Sequence, residues 1–213
     1  MAASSLPNVS KPHSDRRARN RAAIVAAAFE LFGGEAAGQV RIEDLAARAG
    51  VTRMTFYNHF SGMAELREAV GFELTHDFLN AVTAAIAVLD DPRERAAAAI
   101  RFYLGRVAGD PGWGRSILNL SSDGLFFGAE THRQAERTVR EGIDAGVLDL
   151  PGSALGRDLV LGTGLAAIAS ILSGDAAPNY PVEVAAAILR GLGVEVREAQ
   201  SIAARPLPPI ERD

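Results

Sequence analysis

The run LAARAGVTRMTFYNHF, Leu45 to Phe60, holds two short helical patterns joined at one sharp corner. Leu45, Ala46 and Ala49 fall on one helix face, because residues three and four apart are helix neighbours, and Ala46 is small enough for a second helix to cross closely. Gly50 ends that helix: a tight interhelical turn needs a residue that tolerates the left-handed conformation, and Val51 is the apolar plug such a turn buries. Thr52 is placed to cap the next helix, its hydroxyl accepting from the backbone N–H of Met54 or Thr55. Phe56 and Phe60 then point inward at helical spacing.

That geometry leaves Thr52, Arg53, Met54, Thr55, Tyr57, Asn58 and His59 toward solvent or a groove, a polar and cationic set suited to phosphates and base edges. Any all-helical protein can contain such a corner, so its flanks decide. Upstream, Ile24, Ala28, Leu31 and Phe32 mark an amphipathic helix from about Arg19 to Phe32, stopped by Gly33-Gly34 and able to pack across the corner as the third helix of a compact head. Before it, Arg16, Arg17, Arg19 and Arg21 form a basic arm. Arginines at a helix start oppose the local dipole and gain more from a nearby phosphate.

The segment from Arg21 to Leu66 closely resembles the DNA-binding head of the TetR family of bacterial transcriptional regulators. The resemblance rests on the close of the first helix at Ala28 to Phe32, on the Leu45 to Val51 corner, and on Thr55, Phe56, Tyr57 and Phe60. It implies an all-α homodimer: a three-helix head that places its third helix in the major groove of a palindromic operator, and a helical body that binds a small effector and dimerises. Repression is the family's default. Three positions depart from the common pattern: Met54 where glycine is frequent, Arg41 where threonine often caps the second helix, and Met63 where lysine usually opens the fourth. That lysine is commonly a phosphate contact, and Arg41 is the expected substitute. The expected DNA-binding set is therefore Arg16, Arg17, Arg19, Arg41, Thr52, Arg53, Met54, Thr55, Tyr57, Asn58 and His59. Met54 and Met63 also leave a rival reading: a small-molecule-binding or scaffold protein of the same fold with lost or weakened DNA binding.

The overall charge of −4 conceals a segregation: residues 1–60 carry eight Lys and Arg against five Asp and Glu, whereas residues 61–213 carry fourteen against twenty-one. A basic head on an acidic body favours DNA contact through one end. With no cysteine, disulfides, thiolate metal sites and thiol redox sensing are excluded, and four dispersed histidines show no metal-ligand spacing, so no cofactor or metal is expected. No nucleophile–base or paired-carboxylate motif points to an enzyme. No apolar run reaches the length of a membrane span and the N-terminus lacks a signal-peptide core, so a cytoplasmic protein without membrane contact is expected.

The expected domains are a disordered tail over 1–15, a helix-turn-helix domain over 16–62, a ligand-binding and dimerisation domain over 63–204 and a flexible tail over 205–213. A four-residue ladder of Leu66, Val70, Leu74, Phe78 and Val82 predicts one long helix from Met63 to about Leu89. Asp91-Pro92 restarts a helix that Gly109-Asp110-Pro111-Gly112 should break; a short helix near Arg115 to Leu120 and a polar one near Ala129 to Ala145 follow. The last two long helices, about 154–172 and 181–193, are rich in small apolar residues and are the expected dimer interface. Candidate effector contacts are Phe72, His76, Phe102, Tyr103, Trp113, Phe126 and Phe127, with Trp113 first among them, and the scarcity of charge among the body's apolar stretches points to an apolar or aromatic effector.

Overall fold

The computed structural model describes residues 11–34, 39–121 and 127–210, which are helical with no strand. Residues 1–10 and 211–213 of the two expected tails, and Phe126 of the expected effector contacts, lie outside the described residues. The chain divides into two compact units, one ending at Val70 and the other beginning at Gly71.

The first unit contains α1 (Lys11–Phe32), α2 (Ile42–Arg48), α3 (Arg53–Tyr57) and the opening turns of α4 (Met63–Ile86). Its core joins Ile24, Ala28 and Phe32 of α1 to Leu45, Phe56 and Phe60 around the corner, and to Leu66 and Val70 of α4, so the head's core runs past the expected boundary at 62. α1 begins at Lys11, eight residues before the expected start, which puts Arg16, Arg17 and Arg19 on the exposed surface of a formed helix rather than in an arm ahead of it.

In the second unit, α5 (Pro92–Gly109) is the hub, packed against α6 (Pro111–Leu120), α7 (Gly128–Asp144), α8 (Ser153–Ser173), α9 (Tyr180–Gly191) and α10 (Val196–Ala203). The Asp110-Pro111 pair ends α5, as expected, and also caps the next helix at once. The Asp110 carboxylate accepts from the Trp113 N–H at 3.0 Å with proline in the first turn, so α6 starts at Pro111. α10 is an additional helix, capped by Glu195, whose carboxylate accepts from the Arg197 and Glu198 amides at 2.8 and 3.1 Å. Its buried Ala199, Ile202 and Ala203 face α9 and α5. Residues 205–210 do not hang loose: Leu207 and Ile210 pack on the core and Arg205 pairs with Glu94.

α8 corrects the expectation on apolar runs, because by length and composition it is long and apolar enough to cross a membrane. It nevertheless carries Arg157, which pairs with Glu136 of α7 at 3.0 Å, and it packs on α5, α6, α7 and α9. Its inner face, with Leu161, Gly164, Ala167 and Ile168, is buried. Leu155, Ala166 and Ala169 on the outer face are exposed, and only 28% of its most apolar stretch is buried within the chain.

Candidate functional site

The corner between α2 and α3 is built by backbone chemistry that its sequence dictates. Gly50 adopts φ +66°, with its N–H donating to the Ala47 carbonyl at 3.2 Å while the Val51 N–H donates to Ala46 at 2.9 Å. These two bonds form a Schellman turn, which satisfies the last carbonyls of α2 and redirects the chain at once. Thr52 then caps α3: its hydroxyl oxygen accepts from the Thr55 N–H at 3.1 Å and lies 2.9 Å from the Thr55 hydroxyl. Arg41 caps α2 without a side-chain acceptor of its own. Instead its N–H donates to the Asp44 carboxylate at 2.9 Å, which leaves the Arg41 side chain exposed at the helix start.

α3 spans five residues, Arg53 to Tyr57, and Asn58 is its C-cap, so Asn58 and His59 leave the helix instead of continuing it. Phe56 is fully buried and anchors α3 through edge and tilted contacts with Tyr57 and Phe60. Outward stand Arg53, Met54 and Tyr57, with Met54 72% exposed. Arg53 is held on its own surface: its guanidinium lies 5.9 Å from the Tyr57 ring centre and 2.9 Å from the Glu43 carboxylate of α2. The Tyr57 hydroxyl first, and then Glu43, push its pKa up from the ordinary arginine value. His59 is pushed below the ordinary imidazole range by burial and then by the nearby charges of Arg17 and Arg21, an electrostatic link between α1 and the end of α3. Of the predicted DNA-facing residues, Arg53, Met54 and Tyr57 stand together outward on α3, and Glu43 of α2 joins Arg53 as a carboxylate with no local sequence signal.

The body encloses a second site, a cavity of about 80 Å³ between α4, α5, α7 and α8. Leu79, Val82 and Ile86 supply the wall from α4, Ala96, Ile100 and Leu104 the wall from α5, and Leu161, Gly164 and Ile168 the wall from α8. Of the predicted effector contacts, Tyr103 and Phe127 line it, with their rings 5.6 Å apart and edge-on. Phe127 holds its place at φ +63°, an unusual left-handed position for a large side chain. Trp113 is a core residue instead: its indole N–H donates to the Leu74 carbonyl at 3.1 Å, and its ring packs on Phe78 and Tyr103. Phe102 packs on the same core away from the cavity wall. Phe72 is half exposed and stacks on His76 at 4.5 Å, while His76 Nδ1 lies 2.9 Å from Glu130 Oε2, so this pair decorates the surface. The polar lining residues Thr131, Gln134 and Thr138 were missed because α7 reads as a solvent-facing helix, although their three- and four-residue spacing marks a single face.

Known proteins resemble this chain in two blocks. Residues 24–70 match bacterial regulatory proteins of the tetR family, and residues 91–205 match the tetracyclin repressor-like C-terminal domain. Among solved structures, RolR in complex with resorcinol shares 26% identity with a TM-score of 0.69, covering 93% of this chain and 100% of that one. RolR without ligand shares 27% identity with a TM-score of 0.73, covering 89% and 100%. FadR from Bacillus subtilis in complex with stearoyl-CoA shares 18% identity with a TM-score of 0.60 over 80% and 96%, a likeness of fold alone. No curated protein sequence matches the chain.

Proposed function

The chain belongs to the TetR family, ligand-responsive DNA-binding transcriptional regulators, and from that premise we propose a cytoplasmic, homodimeric repressor that binds a palindromic operator and is released by a small apolar or aromatic effector. The observation that carries this reading is the corner itself: the Schellman turn at Gly50 and the Thr52 cap fix α3 on the head with Arg53, Met54 and Tyr57 outward. Arg53 and Tyr57 reach phosphates or base edges, Thr52 and Thr55 position the helix on phosphate, and the exposed Met54 suits contact with a thymine methyl. Arg16, Arg17, Arg19 and Arg41 add phosphate contacts around it, with Asn58 and His59 closing the α3 edge.

Dimerisation is supported by the outer face of α8, where Leu155, Gly162, Ala166 and Ala169 fall at helical spacing on a helix whose most apolar stretch is only 28% buried within one chain. An operator with half-sites one turn apart requires two heads about 34–36 Å apart, and a second copy supplies the second head. The effector acts through α4, a continuous helix whose Leu66 and Val70 belong to the head's core and whose Leu79, Val82 and Ile86 line the cavity. A ligand that fits the cavity better in one state shifts the population by its differential affinity alone. That RolR was captured with resorcinol supports a small aromatic effector here.

The test is a gel shift of the full chain against DNA upstream of its own gene, repeated across salt and with candidate aromatics. Specific, salt-sensitive binding that a ligand relieves is expected. Ligand binding without any operator in a genomic selection would overturn the reading in favour of a metabolite-binding protein of this fold.

A further inference from the structure

The cavity wall is mostly carbon, and three of its polar residues share one face of α7, while α4 contributes Thr83 and α5 contributes Arg95 and Tyr103. Thr131, Gln134 and Thr138 form one ridge of α7, and Tyr103 reaches it from α5 with its hydroxyl 3.4 Å from Thr131 Oγ1. These groups carry no charge: burial pushes the Tyr103 phenol up to about 12, so it stays protonated. Arg95 is the charged residue on the wall, and its guanidinium is neutralised by a carboxylate. Nη1 donates to the carbonyls of Leu89 and Asp90 at 2.8 and 3.0 Å, and Nη2 pairs with Glu141 at 2.6 Å. With Arg95 already paired to Glu141, an anion entering this space would lose its hydration and meet no unpaired counter-charge.

The ridge also has a defined hydrogen-bonding sense. Thr138 Oγ1 spends its proton on the Gln134 carbonyl at 3.1 Å, which leaves this oxygen of the ridge as an acceptor. Arg137 donates to Gln134 Oε1, which fixes the amide orientation and leaves Gln134 Nε2, held only by a long 3.5 Å contact to Thr138, as the donor. A hydroxyl both donates and accepts, and this pair offers the complement. At about 10–15 Å³ of centre space per water, a volume of about 80 Å³ holds roughly six waters, the scale of a single six-membered ring with small substituents.

We propose that the cavity selects an uncharged, single-ring compound bearing a hydroxyl, a simple phenol, with Thr138 accepting its proton, Gln134 donating to its oxygen and the α4 and α8 walls holding the ring. This rests on the reading of the cavity as the effector site. The experiment is calorimetric titration of the full-length protein at neutral pH with phenol, toluene and benzoate, which share a ring and differ at one substituent. Phenol should bind about tenfold or more tighter than toluene, since a site built to hydrogen-bond a hydroxyl rejects the analogue lacking it, and benzoate should bind weakest. Thr138→Val and Gln134→Leu should each weaken phenol toward the toluene level while leaving toluene unchanged, and the retained toluene binding reports an intact fold. Phenol no tighter than toluene, benzoate as tight as phenol, unaltered phenol binding by both variants, or no binding of any of the three would overturn the proposal. Phenol binding that leaves the operator complex intact would instead overturn the effector reading and leave the cavity chemistry standing.

Discussion

Gly164→Ala separates the cavity from the fold that encloses it. Gly164 lies in the interior of α8 on the cavity wall, and a Cβ built there meets only Phe127 Cζ at 3.8 Å, an ordinary contact. Alanine in a helix interior is favoured over glycine by about 0.5–1 kcal/mol, and one newly buried carbon adds about 0.8 kcal/mol, so the variant should be stabilised by about 1–2 kcal/mol. For a chain of this size that is a rise in Tm of about 2–8 °C. The same substitution at Gly156 of α8 is the control with the opposite sign. Its Cβ would sit 2.5 Å from Val139 Cγ1 and 2.9 Å from Leu150 Cδ1, and overpacking of about 1–3 kcal/mol outweighs the propensity gain. Trp113, the single tryptophan and a member of the body's core, reports unfolding of that unit by fluorescence. The methyl of Gly164→Ala also occupies cavity space, so phenol affinity should fall as stability rises. A Tm that drops in Gly164→Ala would refute the open space beside α8. A Tm that rises with unchanged phenol affinity would show that the ring binds elsewhere.

Three further predictions concern the head and the histidines. Glu43→Gln frees Arg53 for phosphate and should steepen the salt dependence of operator binding by about 0.9 per head, so that the dimer's affinity falls about twelvefold more than wild type between about 50 and 200 mM salt. Fluorescence anisotropy measures it, and an unchanged slope would remove Arg53 from the phosphate contacts. Arg41→Ala should instead lower the slope by about one unit per head, by the same assay. His59 and His132 are both held below the ordinary imidazole value of 6.5, in each case first by burial. The folded state thus favours their neutral forms; stability is complete above 6.5 and declines as pH falls from there through the folded values, because the unfolded chain binds the extra protons. Urea midpoints at neutral and mildly acidic pH follow this directly, and a midpoint that holds or rises on acidification would contradict it.

The head could be read from sequence because each of its devices is local. A glycine at the corner, a threonine one residue past the apolar plug, and phenylalanines at helical spacing act within a few residues of one another, and each took its predicted role at Gly50, Thr52, Phe56 and Phe60. α6 and α10 were harder for a specific reason. Asp110-Pro111 uses the same residues to break one helix and to cap the next, and only the 3.0 Å bond to Trp113 N–H distinguishes the two outcomes. α10 buries two alanines and one isoleucine, a stripe too slight to stand out as apolar.

Long-range placement decided the rest. The glycines around Trp113 look like a mobile, ligand-accessible setting, yet a Cβ on Gly114 would lie 2.8 Å from Val107 Cγ1. That glycine is what lets α6 seat closely on α5, and the close seating carries Trp113 into the core. Glu43 and Arg53 meet only because the corner folds α3 back toward α2. The effector cavity inverts the usual rule most fully. Periodicity assigns the polar face of an amphipathic helix to solvent, but Thr131 and Thr138 are buried and line the cavity with Gln134. Of the described aromatic residues that composition brings forward, Tyr103 and Phe127 line the cavity, Trp113 and Phe102 belong to the core, and Phe72 lies on the surface. The short threonine–glutamine ridge that composition passes over is where the cavity can tell one small molecule from another.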